Sequence, residues 1–354
     1  MEIIEHTIDA QCEGVMVEPV GGSTVGVLVL AGSSGRIEAD RCRLFARTGM
    51  TALSIRWFGG DGQPAGICEI PLETFSTAID LLRAKGAERI GVLGLSKGAE
   101  AALLLAVHDP RVDAVVALSP TSVVWANVGP GSDGNTYPYR SSWTWQEEPV
   151  PFVPYDDSCA PAEAQGEPTA CRTHYERSRQ TFDEAARQAV IPIERSAAEI
   201  LLVAGGDDEM WPSVEFAQEL ASRRASAGRT AKSSVRPTPD IARDCQGKDR
   251  PPPPTGSATA VLPKPTPTSV RRHGLTSWAR SQDLSSWAVD PGTGGRRVRC
   301  PRRNTRHDPA AAKPVAYMAE VALLDPFRSV SVCGEGRRPR MLVAATGLWA
   351  NLRV

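Results

Sequence analysis

Apolar runs of strand length alternate with helical runs through the first 230 residues of the chain. The predicted buried strands are 25–31, 50–57, 89–95, 113–118 and 200–204. The predicted helices are 38–48, 72–85, 97–107 and 214–225. Strands that alternate with helices of this length indicate a mostly parallel sheet with helices on both faces. Residues 3–20 alternate more loosely and predict two short edge strands.

The third buried strand ends in Gly94-Leu95-Ser96-Lys97-Gly98, directly before a helical run of alanine and leucine. Gly-x-Ser-x-Gly between a strand and a helix is the setting of a nucleophile elbow. Glycines are needed there because a side chain at either position would clash with neighbouring backbone. We therefore interpret Ser96 as a catalytic nucleophile whose oxygen is lifted out of the sheet. The alternative is an ordinary turn.

Two other loops follow predicted strands and therefore belong to the same edge of a parallel sheet, where ligands bind. One is Gly32-Ser33-Ser34-Gly35, and the other is Gly205-Gly206-Asp207-Asp208. An acid after a later strand is where a hydrolase sheet places the residue that orients its histidine. We favour Asp208 over Asp207 because it is the fourth residue of a Gly-x-x-Asp turn. A helix-capping or turn role is the alternative for either acid.

Residues 120–190 interrupt the alternation with a segment that is rich in aromatic residues and proline. A loop of this length inside a compact domain is typically a lid or a binding segment. Residues 176–188 predict a helix within it. The aromatic side chains either line an acyl pocket or pack the insert onto the body, and the sequence leaves both interpretations open.

Composition limits the function classes. No apolar run reaches the ~18 residues of a membrane span, and the acidic start of the chain lacks a signal-peptide pattern, so we expect a cytoplasmic protein. The eight cysteines are scattered, and we expect neither a metal nor a cofactor. Charge is uneven: residues 232–354 carry 21 Lys and Arg against 9 Asp and Glu, whereas residues 1–231 carry 19 against 32.

Four stretches together resemble the family of acyl-CoA thioester hydrolases and bile acid-CoA:amino acid N-acyltransferases, in its C-terminal catalytic domain. They are 30–35, 94–100, 141–144 with 151–155, and 205–208 with 211–213. The resemblance covers roughly residues 10–230, and Lys97-Gly98 after the serine is its most particular feature. It implies an α/β-hydrolase fold with an inserted lid-like segment, and a small acyl thioester or ester as substrate.

The resemblance also implies roles for individual residues. Ser96 is the nucleophile, Asp208 is the acid, and the backbone amides of Lys97 and Ser33 form the oxyanion hole. Serine instead of cysteine at the elbow favours hydrolysis over amide transfer. The triad of this family also needs a histidine, in a Gly-His followed by Pro-Gly-Glu within a few dozen residues of the acid.

None of the five histidines has that sequence context; they are His6, His108, His174, His273 and His307. The strand–helix alternation also stops near Lys232, and a Pro- and Arg-rich tail follows. One interpretation is a genuine disordered tail over 232–354. The other is a shift of the reading frame near Lys232. The codons of residues 238–248, read one base earlier, permit Gly-His-Arg-x-Gly-Leu-Pro-Gly-Glu.

Three hypotheses follow for a hydrolase domain at 1–231. The first is an acyl-CoA or ester hydrolase that is impaired because the family histidine is missing. The second is a dienelactone-hydrolase-like or peptidase-like enzyme on the same fold, which Lys97 and Trp211-Pro212-Ser213 disfavour. The third is a catalytically deficient domain whose basic tail binds a partner. Nucleic acid is an unfavoured partner, and the oligomeric state is open.

Overall fold

Eight strands form the main sheet in the computed structural model, which describes residues 1–9, 13–159 and 171–239. With the three strands of a smaller sheet (β5, β8 and β9), the strands of the described residues are β1 Ile3–Ile8, β2 Gly14–Pro19, β3 Val25–Leu30, β4 Thr51–Ile55, β5 Ile70–Pro71, β6 Arg89–Leu95, β7 Val112–Leu118, β8 Trp143–Trp145, β9 Glu148–Pro149, β10 Glu199–Asp207 and β11 Ala231–Pro239. The helices are α1 Ala39–Arg47, α2 Glu73–Ala84, α3 Lys97–His108, α4 Arg172–Thr181, α5 Asp183–Gln188 and α6 Ser213–Ser226.

The strand order of the main sheet is β1-β2-β4-β3-β6-β7-β10-β11. Strand β2 runs antiparallel to both of its neighbours, and every other neighbouring pair in the sheet is parallel. This order, with a reversed second strand and the strand that precedes Ser96 near the centre, defines an α/β-hydrolase fold. The predicted fold class is confirmed.

Helices cover both faces of the sheet. Because successive side chains of a strand point to opposite faces, Val27 and Val29 of β3 pack with Phe45 of α1, whereas Leu28 and Leu30 lie in the other core. That second core also holds apolar residues of α2, α3 and α6. Because both faces of these strands are buried, each strand is a continuous apolar run in the sequence.

The insert that the sequence predicts at 120–190 contains short elements of its own. Strand β8 pairs in parallel with β5 and antiparallel with β9 in a separate three-stranded sheet, and α4 and α5 form the helical part. The helix predicted over 176–188 is therefore two helices, separated at Phe182. Residues 160–170 of the insert lie outside the described part of the chain.

Among the described residues, the last strand begins at residue 231, where the sequence pattern predicts the end of the hydrolase domain. Strand β11 pairs in parallel with β10 from Ala231 onward and ends at Pro239. The predicted tail beyond residue 239, with His273 and His307, is outside the described residues. Within the described part of the chain, no helix has both the length and the apolar character needed to cross a bilayer.

Candidate active site

Ser96 occupies a strained turn between β6 and α3. Its backbone dihedrals are φ 53° and ψ −118°, in a region that costs a non-glycine residue roughly 1–3 kcal/mol. The amide of Ser96 donates a hydrogen bond to the carbonyl oxygen of Leu118, at 2.9 Å. The side chain is partly exposed although both neighbouring residues are buried. Strain at a serine that faces solvent from the end of a central strand is typical of a nucleophile elbow.

The two glycines of the elbow sit where no other residue fits. A Cβ atom at Gly94 would lie 2.1 Å from the carbonyl oxygen of Gly98, and a Cβ atom at Gly98 would lie 2.3 Å from the carbonyl oxygen of Ala31. Both obstacles are backbone atoms, which cannot rotate away. The Gly-x-Ser-x-Gly pattern is therefore required by the tight crossing of α3 over β6 and β3.

The loop after β3 passes beside the nucleophile. A Cβ atom at Gly32 would lie 3.3 Å from the Cβ of Ser96 and 3.1 Å from the carbonyl oxygen of Leu95. Ser33 follows in an exposed turn. The amide of Lys97 belongs to the first turn of α3, where backbone amides have no carbonyl partner within the helix. The predicted oxyanion donors, Lys97 and Ser33, thus come from two segments that flank Ser96.

Asp208 is fixed at the carboxyl end of β10, two strands away from Ser96. Its side chain is buried. One carboxylate oxygen accepts the amides of Met210 at 3.0 Å and Trp211 at 3.4 Å. The other accepts the hydroxyl of Ser119 at 2.6 Å. Asp207 is exposed, so Asp208 is the acid that the fold turns inward.

Ser119, which contacts Asp208, is a residue of the candidate site that the sequence pattern did not indicate. It follows β7, which lies between the strand of Ser96 and the strand of Asp208. Its backbone has φ 46°, and its amide donates to the carbonyl oxygen of Val203 at 2.8 Å. A polar residue directly after a buried central strand was the available signal, since strand ends of this kind carry site residues.

The side chain of Lys97 points into the protein and forms a buried ion pair with Glu100. Its Nζ lies 3.1 Å from both carboxylate oxygens of Glu100. The same Nζ donates to Ser142 Oγ at 2.8 Å and approaches the carbonyl oxygens of Trp125 and Ala126 at 3.4 Å each. All these partners except Glu100 belong to the insert.

Glu100 completes this link. Its Oε1 accepts the amide of Trp125 at 3.2 Å and the indole N–H of Trp143 at 2.8 Å. Burial lowers the pKa of Lys97 and raises the pKa of Glu100, while their mutual attraction opposes both shifts. Lys97, the most particular residue of the elbow motif, therefore connects α3 to the insert through its side chain.

The aromatic residues of the insert divide into two groups. Trp125 and Trp143 are fully buried, and the ring of Trp125 stacks on Tyr155 with 5.9 Å between centroids. For these residues the packing interpretation holds. Tyr137 and Tyr139 are 74% and 42% exposed.

The insert also contacts the loop that follows Asp208. The amides of Cys171 and Arg172, at the start of α4, both donate to the carbonyl oxygen of Glu209 at 2.9 Å. The ring of Tyr175 packs edge-on against Trp211, with 5.5 Å between centroids. The insert is thus joined to the segments that follow both Ser96 and Asp208.

The three histidines among the described residues contact Glu18, Trp145 and Tyr155. His6 contacts Glu18 at 2.8 Å, and the ring of His108 stacks on Trp145 with 4.8 Å between centroids. The ring of His174 stacks on Tyr155, with 5.6 Å between centroids. Across residues 1–9, 13–159 and 171–239, no group of three His, Cys, Asp or Glu side chains is arranged to hold a metal ion.

A groove of about 670 Å³ lies between α4–α5 and α6, apart from the elbow. Its walls carry Arg179 and Glu219, which pair at 3.0 Å. Arg187, also on the wall, pairs with Glu184 at 2.7 Å. We do not assign an acyl site to this groove, because none of its lining residues belongs to the candidate site.

The strand order gives the described part of the chain an α/β-hydrolase fold, with Ser96 in a strained turn after β6 and Asp208 directly after β10. Residues 70–236 match the family model described as BAAT / Acyl-CoA thioester hydrolase C terminal. This match confirms the resemblance that the sequence motifs predict.

Curated relatives agree with the family model. The chain is similar to acyl-coenzyme A thioesterase 1 of Mus musculus, at 24% identity over 227 residues, which covers 61% of this chain and 47% of that protein. It is also similar to acyl-coenzyme A amino acid N-acyltransferase 2 of Rattus norvegicus, at 26% over 231 residues, with coverages of 64% and 51%. The chain therefore spans about half the length of these relatives.

The chain also aligns with solved structures, at a lower sequence identity than with these relatives. An esterase of Pyrococcus furiosus aligns with 16% identity and a TM-score of 0.44, and the alignment covers 68% of this chain and 85% of that chain.

Proposed function

We propose that this chain is a serine hydrolase that acts on an acyl-CoA thioester or a carboxylic ester through an acyl-Ser96 intermediate. The observation that carries the proposal is the backbone of Ser96, held at φ 53° between two glycines that cannot accept a Cβ atom. Such strain is retained where it serves a site. The thioesterase relatives supply the substrate class.

In the proposed reaction, Ser96 Oγ attacks the acyl carbonyl carbon and its proton passes to a base. The negative charge that develops on the carbonyl oxygen is stabilised by the amides of Lys97 and Ser33. Collapse of the tetrahedral intermediate expels the thiol or alcohol, which takes up the proton, and water then releases the acid from Ser96. Asp208 orients the base and stabilises its charged form.

The proposed reaction needs a catalytic base, and the sequence of this chain does not supply the histidine that the family motif provides. The histidine that the family motif supplies has no counterpart by sequence context, and His6 and His108 contact Glu18 and Trp145 instead. We therefore propose that the activity of this chain is impaired. The specific alternative that this favours is a hydrolase domain without turnover, whose basic tail binds a partner. Binding to DNA that weakens steeply with added salt would support that alternative.

We further propose that the reading frame changes near Lys232. The family match ends at residue 236, close to this point, and the shifted codons permit the missing Gly-His segment. Sequencing the gene across the codons for residues 230–235 tests the proposal. One uninterrupted frame, together with robust hydrolysis by this chain, would rule it out.

Ser96→Ala is expected to abolish covalent labelling by a fluorophosphonate, because the reagent requires the serine oxygen. Labelling is measured by intact-protein mass and located by peptide mapping. The matched control is Ser34→Ala, which removes an exposed hydroxyl from the neighbouring loop and should leave labelling unchanged. A panel of acyl-CoA thioesters and p-nitrophenyl esters then ranks the leaving groups. Labelling that persists in Ser96→Ala would exclude Ser96 as the nucleophile.

Asp208→Asn is expected to slow Ser96 labelling and ester turnover by about 10³- to 10⁴-fold if a histidine completes the site, because the amide favours the wrong tautomer of the base. Without such a base the same substitution has little effect on labelling. Comparing Asp208→Asn with Asp207→Asn by labelling rate separates a functional acid from a structural turn. A larger effect from Asp207→Asn would contradict the assignment of Asp208.

A further inference from the structure

The ion pair of Lys97 and Glu100 stands out because of where its hydrogen bonds go. Lys97 directly follows the nucleophile, and both side chains are almost inaccessible, at 2% and 0% exposure. Apart from the contacts they make with each other, the hydrogen bonds that the structure gives these two side chains all reach the insert. Three of the insert groups are backbone atoms of residues 125–126, and two are the side chains of Ser142 and Trp143.

We propose that Lys97 and Glu100 are positioning residues of the acyl-transfer site: their ion pair fixes the insert against the start of α3 and so holds the Lys97 amide in place for the oxyanion. This inference rests on the proposed function. The amide and the anchored side chain belong to the same residue, so any displacement of the insert acts directly on the oxyanion donor. Such donors are effective only when they are held in place before the reaction.

Stability alone gives no reason to keep charges at this place. Replacing a buried ion pair by apolar residues of similar volume is often neutral or stabilising. An apolar pair, however, could not accept the amide of Trp125 or donate to the carbonyl oxygens of Trp125 and Ala126. The charges therefore contribute a defined placement of the insert, which packing alone does not specify.

The test compares the double variant Lys97→Met/Glu100→Met with the unsubstituted chain, since the double variant leaves no buried charge without a partner. The second-order rate constant of Ser96 labelling by a fluorophosphonate is expected to fall about tenfold, less than the roughly hundredfold loss that follows complete removal of one oxyanion donor. Hydrogen exchange at the Trp125 amide, which loses its carboxylate acceptor, is expected to accelerate by a similar factor. Circular dichroism checks that the variant is folded.

Asp109→Asn is the matched control. Asp109 directly follows α3, is 4% exposed, and accepts hydrogen bonds from Ser76 at 2.8 Å and Arg111 at 2.7 Å. Its substitution weakens another carboxylate network of the same helix at the end remote from Ser96. It is expected to lower the melting temperature without changing the labelling rate.

The outcomes separate the two proposals. An unsubstituted chain that is not labelled at Ser96 overturns the proposed function and the positioning role with it. A labelled chain whose folded double variant reacts at the same rate, with unchanged exchange at Trp125, overturns the positioning role alone. If the double variant does not fold, Trp143→Phe provides the test, because it removes only the indole donor to Glu100. Labelling severalfold slower than in the unsubstituted chain is then expected, and an equal rate overturns the positioning role.

Discussion

Gly98→Ala is expected to destabilise the fold by more than about 4 kcal/mol, which is at the extreme of single substitutions. The added Cβ would lie 2.3 Å from the carbonyl oxygen of Ala31 and 2.7 Å from that of Leu30. Both oxygens are at the end of β3, which pairs with β6. Relief of the clash therefore requires α3 to move away from the sheet, and Ser96 moves with it.

The control is Gly86→Ala. Gly86 also has a positive φ, of 93°, but a Cβ atom there meets nothing within 4 Å. Its substitution costs only the backbone strain, about 1–2 kcal/mol. Urea unfolding of both variants, followed by circular dichroism, measures the difference. A Gly98→Ala protein as stable as Gly86→Ala would contradict the close approach of α3 to β3.

The elbow was predictable because all of its determinants are local. An apolar strand, two glycines around Ser96 and an Ala/Leu helix occupy fewer than 20 consecutive positions, and each is recognised without tertiary information. The turn that carries Asp208 was nearly as predictable from the sequence, since a Gly-x-x-Asp turn after a buried strand is also a local pattern. The preference for Asp208 over Asp207 agrees with the burial of the first and the exposure of the second.

The contacts of Lys97 were not predictable from the sequence for the opposite reason. Its partners Trp125 and Ser142 are 28 and 45 residues further along the chain, in an insert that has no clear periodicity. Ser119 meets Asp208 across 89 residues, through a strand order that the sequence pattern does not specify. The start of β11 was missed because one parallel edge strand with Lys232 and Pro237 lacks the apolar run of the central strands.

Single substitutions of the buried pair are expected to destabilise the fold more than the double substitution does. Lys97→Met leaves Glu100 buried without a counter-ion, and Glu100→Met does the same to Lys97. Each single variant is expected to lose about 3–5 kcal/mol of unfolding free energy, whereas Lys97→Met/Glu100→Met is expected to lose less than either, because it leaves polar groups of the insert unpaired but no charge. Urea unfolding of all four proteins gives the coupling energy of the pair.

The pH dependence of Lys97→Met checks the cause of that loss. Burial already raises the pKa of Glu100 above its ordinary value of 4.5, and Lys97 opposes the shift. Without Lys97 the folded-state pKa rises further, so the protonated, neutral carboxyl is favoured in the fold. Stability is then retained below pH 4.5 and lost as the pH rises through the folded-state pKa, because the unfolded chain releases the proton more readily. The deficit of Lys97→Met is therefore expected to be smaller at pH 5 than at pH 8, and an equal deficit at both would show that lost packing, not an unpaired carboxylate, causes it.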